Sequence, residues 1–285
     1  SLSLPPWPAL DVAAAGVSLA VCGAALPGRR FAWLALLPIG IPTVRLPPHG
    51  VAHVVVLDVG HGLAVLVETR SSRLLFDAGP TARSGFDSGA EIVVPALGAN
   101  GRRGLDRLIV SHADNDHAGG AAAVVAAFPR VAVVKGPDVV ELAGEVCAHG
   151  QRWEADGVRF SILHPQADFS ARGNESSCVL KVETGASSLL VTGDIERRGE
   201  RAVVTQPSDA DVVVVPHHGS ATSSSAEFVA AVGAKHAIVS AGYANRWGFP
   251  RAEVRERWEK SGATMTVTGD SGADSVLVAT AQVAV

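Results

Sequence analysis

The sequence predicts an α/β protein in which two β-sheets pack face to face, with helices on the outer surfaces. The first observation is a series of short apolar runs, separated by Gly and Asp turns, between residues 53 and 191. The second is the alternation of predicted strands and helices after residue 212. Two β-rich halves, each with helices on one side, bury the remaining sheet faces against each other. We therefore expect a four-layer αββα sandwich.

The order of elements follows from hydrophobic periodicity and from turn residues. In the first two thirds we predict strands at residues 53–59, 63–68, 73–76, 108–111, 131–134, 158–163, 178–183 and 188–191. Turns at residues 60–62 and 69–72 suit hairpins, and helices are predicted at residues 90–97 and 119–128. The last third should contain strands 212–215, 237–240, 264–267 and 275–279, with helices 225–232 and 251–260.

The N-terminal part differs in composition. Two apolar runs, residues 10–26 and 31–41, flank a basic turn with Arg29 and Arg30. Neither run reaches the roughly 20 residues that span a bilayer comfortably. We interpret residues 1–48 as an apolar helical segment with a Pro-rich linker, in which the two runs form a short membrane hairpin, and residues 49–285 as a separate globular domain. The first residue is serine, so we expect a longer parent polypeptide. Core-packing helices of a soluble protein are the alternative.

Charge and cysteine content narrow the function classes. The net charge is -4 and the pI is about 6.2, so the surface is not coated with basic residues for nucleic acid. Any polyanion must be held locally. Cys22, Cys147 and Cys178 are too few for a disulfide framework or a zinc–thiolate site. We interpret them as buried free thiols, with a Cys147–Cys178 bridge as the alternative in an oxidising compartment.

Histidine and aspartate side chains follow three of the predicted strands. Imidazole nitrogen and carboxylate oxygen bind divalent cations, and a centre for two cations needs roughly six such groups. A single Asp after a strand is usually a turn or cap former, so the inference depends on the whole set. Its members are His112, Asp114, Asp116, His117, Asp194, His217 and His218. We expect them to meet at one edge of a sheet.

Several motifs resemble the C-terminal domain of ComEC, the DNA-internalisation channel of natural competence, within the metallo-β-lactamase superfamily. The resemblance covers about residues 54–278 and includes residues 57–64, 76–79, 111–120, 174–180, 192–194 and 217–220. The superfamily signature reads His-x-His-x-Asp-His, and Asp114 replaces the second histidine here. The resemblance implies a metallo-β-lactamase-like αββα fold. In that family a multi-helix membrane channel precedes this domain. The resemblance therefore implies that residues 1–48 are the end of a membrane channel domain and that residues 49–285 are the metallo-β-lactamase-like domain.

The resemblance also implies roles for individual residues. His112 and Asp114 would hold one metal, Asp116 and His117 the other, Asp194 would bridge them, and His217 would complete the second site. Asp116, Asp194 and His218 would be catalytic, and His218 would contact phosphate or a ligating side chain rather than bind a metal itself. The remaining assignments are Asp77 as a hydrogen-bond partner of a ligating histidine, Asn174 as a weak ligand position, and Ser220 and Arg246 as substrate-binding residues. The metals would be two Zn or Mn ions, with Mg possible.

Two positions depart from the family pattern. The family often reads Gly-Gln-Gly-Asp where this chain has residues 60–63 with Leu63, and it often has histidine where Phe249 stands. We expect slower catalysis but an intact metal set.

The function that the resemblance implies is a metal-dependent nuclease. Two cations would activate a water for attack on a phosphodiester, degrading one strand of incoming DNA. The partners would be single-stranded DNA, with Trp247 or Tyr243 stacking on bases, and the inner membrane, with the domain on its periplasmic or extracellular side. The alternatives are a hydrolase of another ester or amide and a catalytically silent DNA-binding module.

Overall fold

The computed structural model describes residues 46–278 except residues 100, 101, 103, 171 and 186. The predicted apolar helical segment and most of its linker therefore lie outside the described residues. The proposed boundary at residues 48 and 49 stays a prediction. No helix in the described part of the chain is long and apolar enough to span a bilayer.

In the part of the chain that the structure describes, fourteen strands form two seven-stranded sheets. The first sheet contains β1 (Ala52–Val56), β2 (Val65–Glu68), β3 (Arg73–Phe76), β4 (Arg107–Val110), β5 (Ala132–Lys135), β6 (Glu145–Val146) and β14 (Asp274–Val278). Its order is β14-β1-β2-β3-β4-β5-β6. The second contains β7 (Arg152–Ala155), β8 (Val158–His164), β9 (Val179–Glu183), β10 (Ser188–Val191), β11 (Val212–Val214), β12 (His236–Val239) and β13 (Thr264–Val267). Its order is β13-β12-β11-β10-β9-β8-β7.

Helices cover the outer face of each sheet. They are α1 (Val94–Ala99), which follows a π-helical turn at Gly89–Val93, α2 (Asn115–Ala118), α3 (Ala121–Ala127), α4 (Arg197–Val204), α5 (Ala226–Val232), α6 (Ala252–Lys260) and α7 (Thr268–Ser271). One buried apolar cluster lies between the sheets, and two further clusters lie between a sheet and its helices. This arrangement confirms the αββα sandwich.

Continuous apolar runs mark strands that are buried on both faces. In β4, Ile109 packs between the sheets, while Leu108 and Val110 pack under the helices. In β11, Val212 and Val214 face the other sheet. Because successive side chains of a strand point to opposite faces, a strand covered on both sides needs no polar alternation.

The sequence analysis misplaced or missed some elements. The strand predicted at residues 53–59 ends at Val56, because Leu57 begins the loop that connects β1 and β2. The edge strands β6 and β7 were missed, since β6 has two residues and β7 carries the charged side chains Arg152 and Glu154. Helix α4 was missed because it has the sequence RRGERAVV and buries few apolar side chains.

The carboxyl ends of four strands lie at the edge of the sandwich where the predicted donors and Asp77 occur. Strands β3 and β4 are parallel neighbours in the first sheet, and β10 and β11 are parallel neighbours in the second. Parallel strands end at the same edge, so the loops that follow them meet there. The backbone N–H of Cys178, just before β9, donates to the Ser111 carbonyl at 3.0 Å and joins the two sheets at this edge.

Cys147 and Cys178 form a disulfide bond, so the interpretation of free thiols was wrong for this pair. Cys147 follows β6 of the first sheet and Cys178 precedes β9 of the second, and both are buried. The bond therefore links the two sheets behind the donor edge. Sequence spacing did not reveal it because the two cysteines are 31 positions apart and meet only in the folded chain.

The disulfide can be tested by counting thiols. Of the three cysteines, two are bonded, so the denatured, unreduced chain should expose one thiol and the reduced chain three. A Cys22→Ser variant should expose none before reduction. Replacing both bonded cysteines with serine should lower the free energy of unfolding by about 4 kcal/mol, the value expected for a closed loop of this size. Three thiols in the unreduced protein would contradict the bond.

Candidate metal centre

His117 is oriented by a buried carboxylate. It lies in α2, directly after β4, and its Nδ1 is 2.7 Å from Asp77 Oδ2. Asp77 also accepts hydrogen bonds from the backbone N–H of Ser111 at 2.6 Å and from its hydroxyl at 2.7 Å. With the Nδ1 proton donated to Asp77, the Nε2 lone pair of His117 is directed at Asp194 and His218.

His218 is oriented in the same sense from the other sheet. It lies in the turn Pro216–Gly219 after β11, and its Nδ1 is 2.7 Å from the Ser240 carbonyl, which can only accept. His217 and His218 both have left-handed backbone conformations, with φ of 50° and 52°. Such backbone conformations cost free energy for residues other than glycine, and they are frequent at functional sites. The Nε2 lone pair of His218 therefore faces His117.

Four donor side chains meet at this point: Asp116, His117, Asp194 and His218. Their ligand atoms all lie within 4.8 Å of one another. His117 Nε2 is 3.0 Å from Asp194 Oδ1 and 3.2 Å from His218 Nε2, and His218 Nε2 is 3.3 Å from Asp116 Oδ2. Two facing nitrogen lone pairs repel unless a proton or a cation lies between them. The donor set therefore fits a divalent cation.

His112 offers a second donor position beside this cluster. Its Nδ1 lies 3.0 Å from the Ser111 hydroxyl and 3.3 Å from the Ser177 hydroxyl. Its Nε2 is buried and has no hydrogen-bond partner among the described residues. Asp114 Oδ2 is 3.6 Å from that Nε2. A buried polar atom without a partner is costly, and a cation held by His112 and Asp114 would satisfy it.

His217 lies at the rim of the cluster. Its Nδ1 is 3.1 Å from Glu196 Oε1 and 3.2 Å from the Thr222 hydroxyl. Its Nε2 is 3.4 Å from Asn174 Nδ2 and 3.8 Å from Asp194 Oδ2. From the sequence, His217 was expected to be the ligand, and His218 to contact phosphate or to support a ligand. His218 lies in the four-donor cluster, while His217 is 21% exposed, and the choice of ligand between them stays a prediction.

The predicted substrate-binding residues lie outside the cluster. Ser220 is buried, and its hydroxyl is 3.0 Å from that of Thr222. Arg246 is exposed, and its guanidinium carbon is 4.2 Å from the ring centre of Trp247. Their role in substrate binding stays a prediction.

His61 belongs to the site but was not predicted as a site residue. Its ring stacks on Trp247 with centroids 3.7 Å apart and an interplanar angle of 16°. Its Nε2 is 3.5 Å from Asp116 Oδ2. Burial, and next the neighbouring His218, lower the pKa of His61 from 6.5 to about 4, so the ring is neutral at physiological pH. The available signal was a histidine between two glycines in a turn after a strand.

The cluster perturbs its own protonation. Burial alone would lower the pKa of His117, but the carboxylates of Asp194 and Asp77 raise it well above its ordinary value of 6.5. Burial alone would raise the pKa of Asp194, but the imidazoles of His117 and His218 hold it well below the usual range. In the absence of a cation, a proton therefore occupies the cluster at neutral pH, and a cation must displace it.

Two packed sheets with outer helices, and a buried His/Asp cluster at one edge of the sandwich, define a protein of the metallo-β-lactamase fold with a candidate metal centre. The chain belongs to the metallo-β-lactamase superfamily, whose sequence profile matches residues 57–243. The metallo-beta-lactamase fold protein YhfI from Bacillus subtilis has a TM-score of 0.54 with 12% identity. The superposition covers 79% of this chain and 99% of YhfI. This similarity supports the fold alone.

Relatives with higher identity carry names from competence and recombination. The chain is 40% identical over 280 residues to "Competence protein ComA" of Neisseria gonorrhoeae, covering 93% of this chain and 39% of that protein. It is 37% identical over 218 residues to "Recombination protein 2" of Haemophilus influenzae, covering 76% of this chain and 27% of that protein. The chain thus spans well under half of each relative. These matches confirm the resemblance to the ComEC-type domain.

The two adjacent histidines provide a matched test of the donor set. His218→Ala should weaken cation binding by more than about ten-fold, because it removes a nitrogen aimed at His117 and Asp194. His217→Ala should keep the cation, since its ring lies at the rim. The measurement is elemental analysis after gel filtration, with circular dichroism to verify folding. Loss of the cation only in His217→Ala would contradict this geometry.

Cation affinity should depend on pH in a defined direction. Because the pKa of His117 is raised, a cation competes with one proton wherever the pH is below that pKa. Affinity should therefore fall by about ten-fold per unit as the pH is lowered through that range. Calorimetry in buffers of different ionisation enthalpy would count the protons released. Binding without proton release at neutral pH would show that the proton is absent.

Proposed function

We propose that this domain is a metal-dependent phosphodiesterase that cuts DNA as part of a competence DNA-uptake channel. The observation that carries the proposal is the pair of Nε2 atoms of His117 and His218, 3.2 Å apart between two carboxylates. Divalent cations, when bound there, would lower the pKa of a water and hold phosphate oxygens. The superfamily membership supports hydrolysis, and the relatives' names support DNA as the substrate.

The proposed ligand set divides the donors between two cations. Asp116, His117 and His218 would hold one, and His112 and Asp114 would hold the other. Asp194, whose two oxygens face His117 and His218, would be shared. His218 thus replaces His217 in the ligand set that we expected from sequence. Three imidazoles with carboxylates suit Zn or Mn, and the exposed Asp114 makes the second position tolerant of Mg.

The chain's own residues would orient and shield the reaction. Asp77 and the Ser240 carbonyl hold the two imidazoles with their lone pairs directed inward. In hydrolysis the water oxygen forms a bond to phosphorus, the bond to one sugar oxygen breaks, and that oxygen takes up a proton. Cations at the cluster would create a local positive field, so the net charge of -4 does not prevent phosphate binding.

Exposed side chains near the cluster suit an unpaired strand. Tyr243 is 79% exposed, and Trp247 stacks on His61, which itself contacts Asp116. Aromatic rings bind unpaired bases by stacking, and Arg246 beside Trp247 would attract the backbone. We therefore propose single-stranded DNA as the substrate.

We propose that the parent protein carries this domain on the periplasmic or extracellular side of the inner membrane. The support is the resemblance to ComEC and the greater length of the named relatives, of which the chain covers 39% and 27%. A membrane channel in the remaining length would take up the strand that is not degraded.

Cleavage assays test the nuclease proposal. The 285-residue chain, loaded with Mn, Zn or Mg, should cut single-stranded DNA faster than a duplex and much faster than a lactam. Asp194→Asn should lower the rate by at least about 100-fold. A loss of this size is the most that is expected from removing a residue that only hydrogen-bonds to a metal ligand. Asp209→Asn, at an exposed aspartate on the chain's surface, is the matched control and should be fully active.

Each alternative has its own outcome in this assay. Preferential turnover of a lactam or a small ester would indicate another hydrolase. Tight DNA binding without cleavage, in the presence of bound cation, would indicate a silent binding module. Either result would end the nuclease proposal.

A further inference from the structure

The loop that carries His61 is fixed directly onto the metal centre. The backbone N–H of Leu63 donates to the Asp116 carbonyl at 3.0 Å. The hydroxyl of Ser240, whose carbonyl orients His218, donates to the Gly62 carbonyl at 2.6 Å. Gly62 has φ of 144°, and any side chain there would collide with the Asp116 backbone. The position of His61 relative to Asp116 is therefore set by the backbone.

The orientation of the His61 ring is set by Trp247. The rings of His61 and Trp247 stack with their centroids 3.7 Å apart. Two hydrogen bonds of Asn245 hold the loop that carries Trp247. The Asn245 side chain donates to the Phe249 carbonyl at 2.7 Å and accepts from the Phe249 N–H at 2.9 Å. A ring held on one face by such a stiff support has little freedom to turn.

The hydrogen-bond environment determines which nitrogen of His61 carries the proton. Nδ1 is buried and has no hydrogen-bond partner among the described residues, whereas Nε2 faces Asp116 Oδ2 at 3.5 Å. A buried N–H without an acceptor is rarer and more costly than a bare acceptor. This geometry therefore assigns a proton to Nε2 of His61. His61 thus directs an N–H toward the centre, whereas His117 and His218 direct lone pairs.

We propose that the Nε2–H of His61 donates a hydrogen bond to a phosphoryl oxygen of the bound ester, and that Trp247 holds it in that direction. The inference rests on the proposed phosphodiesterase function. A separation of 3.5 Å from Asp116 is too long for a full hydrogen bond, so this donor remains available to a substrate. A fixed donor aimed at an oxygen that gains negative charge stabilises the transition state. His61 is then a catalytic residue and not a metal ligand.

Two substitutions separate the donor from the ring. His61→Phe keeps a flat ring against Trp247 but has no donor, and His61→Gln keeps an N–H at a similar reach. We expect His61→Phe to lower kcat on bis(p-nitrophenyl) phosphate by about 100-fold, the effect of losing one preorganised donor. His61→Gln should stay within about ten-fold of the wild type. His149→Phe, at an exposed histidine on the surface, is the matched control and should be unchanged.

Cation content distinguishes a donor from a ligand. Elemental analysis and chelator competition should give the same stoichiometry and affinity for wild type, His61→Phe and His61→Gln. Loss of the cation in His61→Phe would overturn the inference, because His61 would then hold the metal. An unchanged kcat in His61→Phe would also overturn it.

A binding measurement keeps the inference separate from the nuclease proposal. If the wild-type chain hydrolyses no phosphodiester, the proposed function fails, but the cation-loaded protein can still be titrated with inorganic phosphate by calorimetry. His61→Phe should bind phosphate about ten-fold more weakly than the wild type, which corresponds to one lost hydrogen bond. Equal affinities, or no phosphate binding by the wild type, would overturn the inference.

Discussion

His117 and His218 face each other through their Nε2 atoms at 3.2 Å, and each has its other nitrogen bonded to a fixed acceptor. Neither ring can turn away without breaking its buried hydrogen bond to Asp77 or to the Ser240 carbonyl. The repulsion between the two lone pairs is therefore built into the fold, and a positive charge between them relieves it. The buried carboxylate of Asp194 beside them has the same requirement. The left-handed turn at residues 217 and 218 places one of the two rings, so an uncommon backbone conformation is part of this arrangement.

Much of the fold could be predicted because the strands at its centre have simple environments. Strands β4 and β11 are buried on both faces, and uninterrupted apolar runs indicate that state directly. The elements that were missed lie at the periphery. Edge strand β7 and helix α4 carry mostly charged side chains because solvent covers much of their surface, so hydrophobic periodicity gives little signal there.

The site was predictable to the level of loops but not of individual atoms. Donors that follow buried parallel strands must meet at one edge, and they do. The backbone angles of one turn determine whether His217 or His218 enters the cluster. The sequence of two adjacent histidines does not reveal those angles. The position of His61 depends on Trp247, far along the chain, and the Cys147–Cys178 bond depends equally on the folded path. Contacts of this kind require the tertiary structure.

The four clustered donors come from both halves of the sandwich. Asp116 and His117 follow a strand of the first sheet, and Asp194 and His218 follow strands of the second. An ion bound to all four would act as a non-covalent cross-link between the two halves of the sandwich. Ion binding and cohesion of the sandwich are then thermodynamically linked. Metal starvation would accordingly shorten the lifetime of the folded domain inside a cell, and not merely silence it.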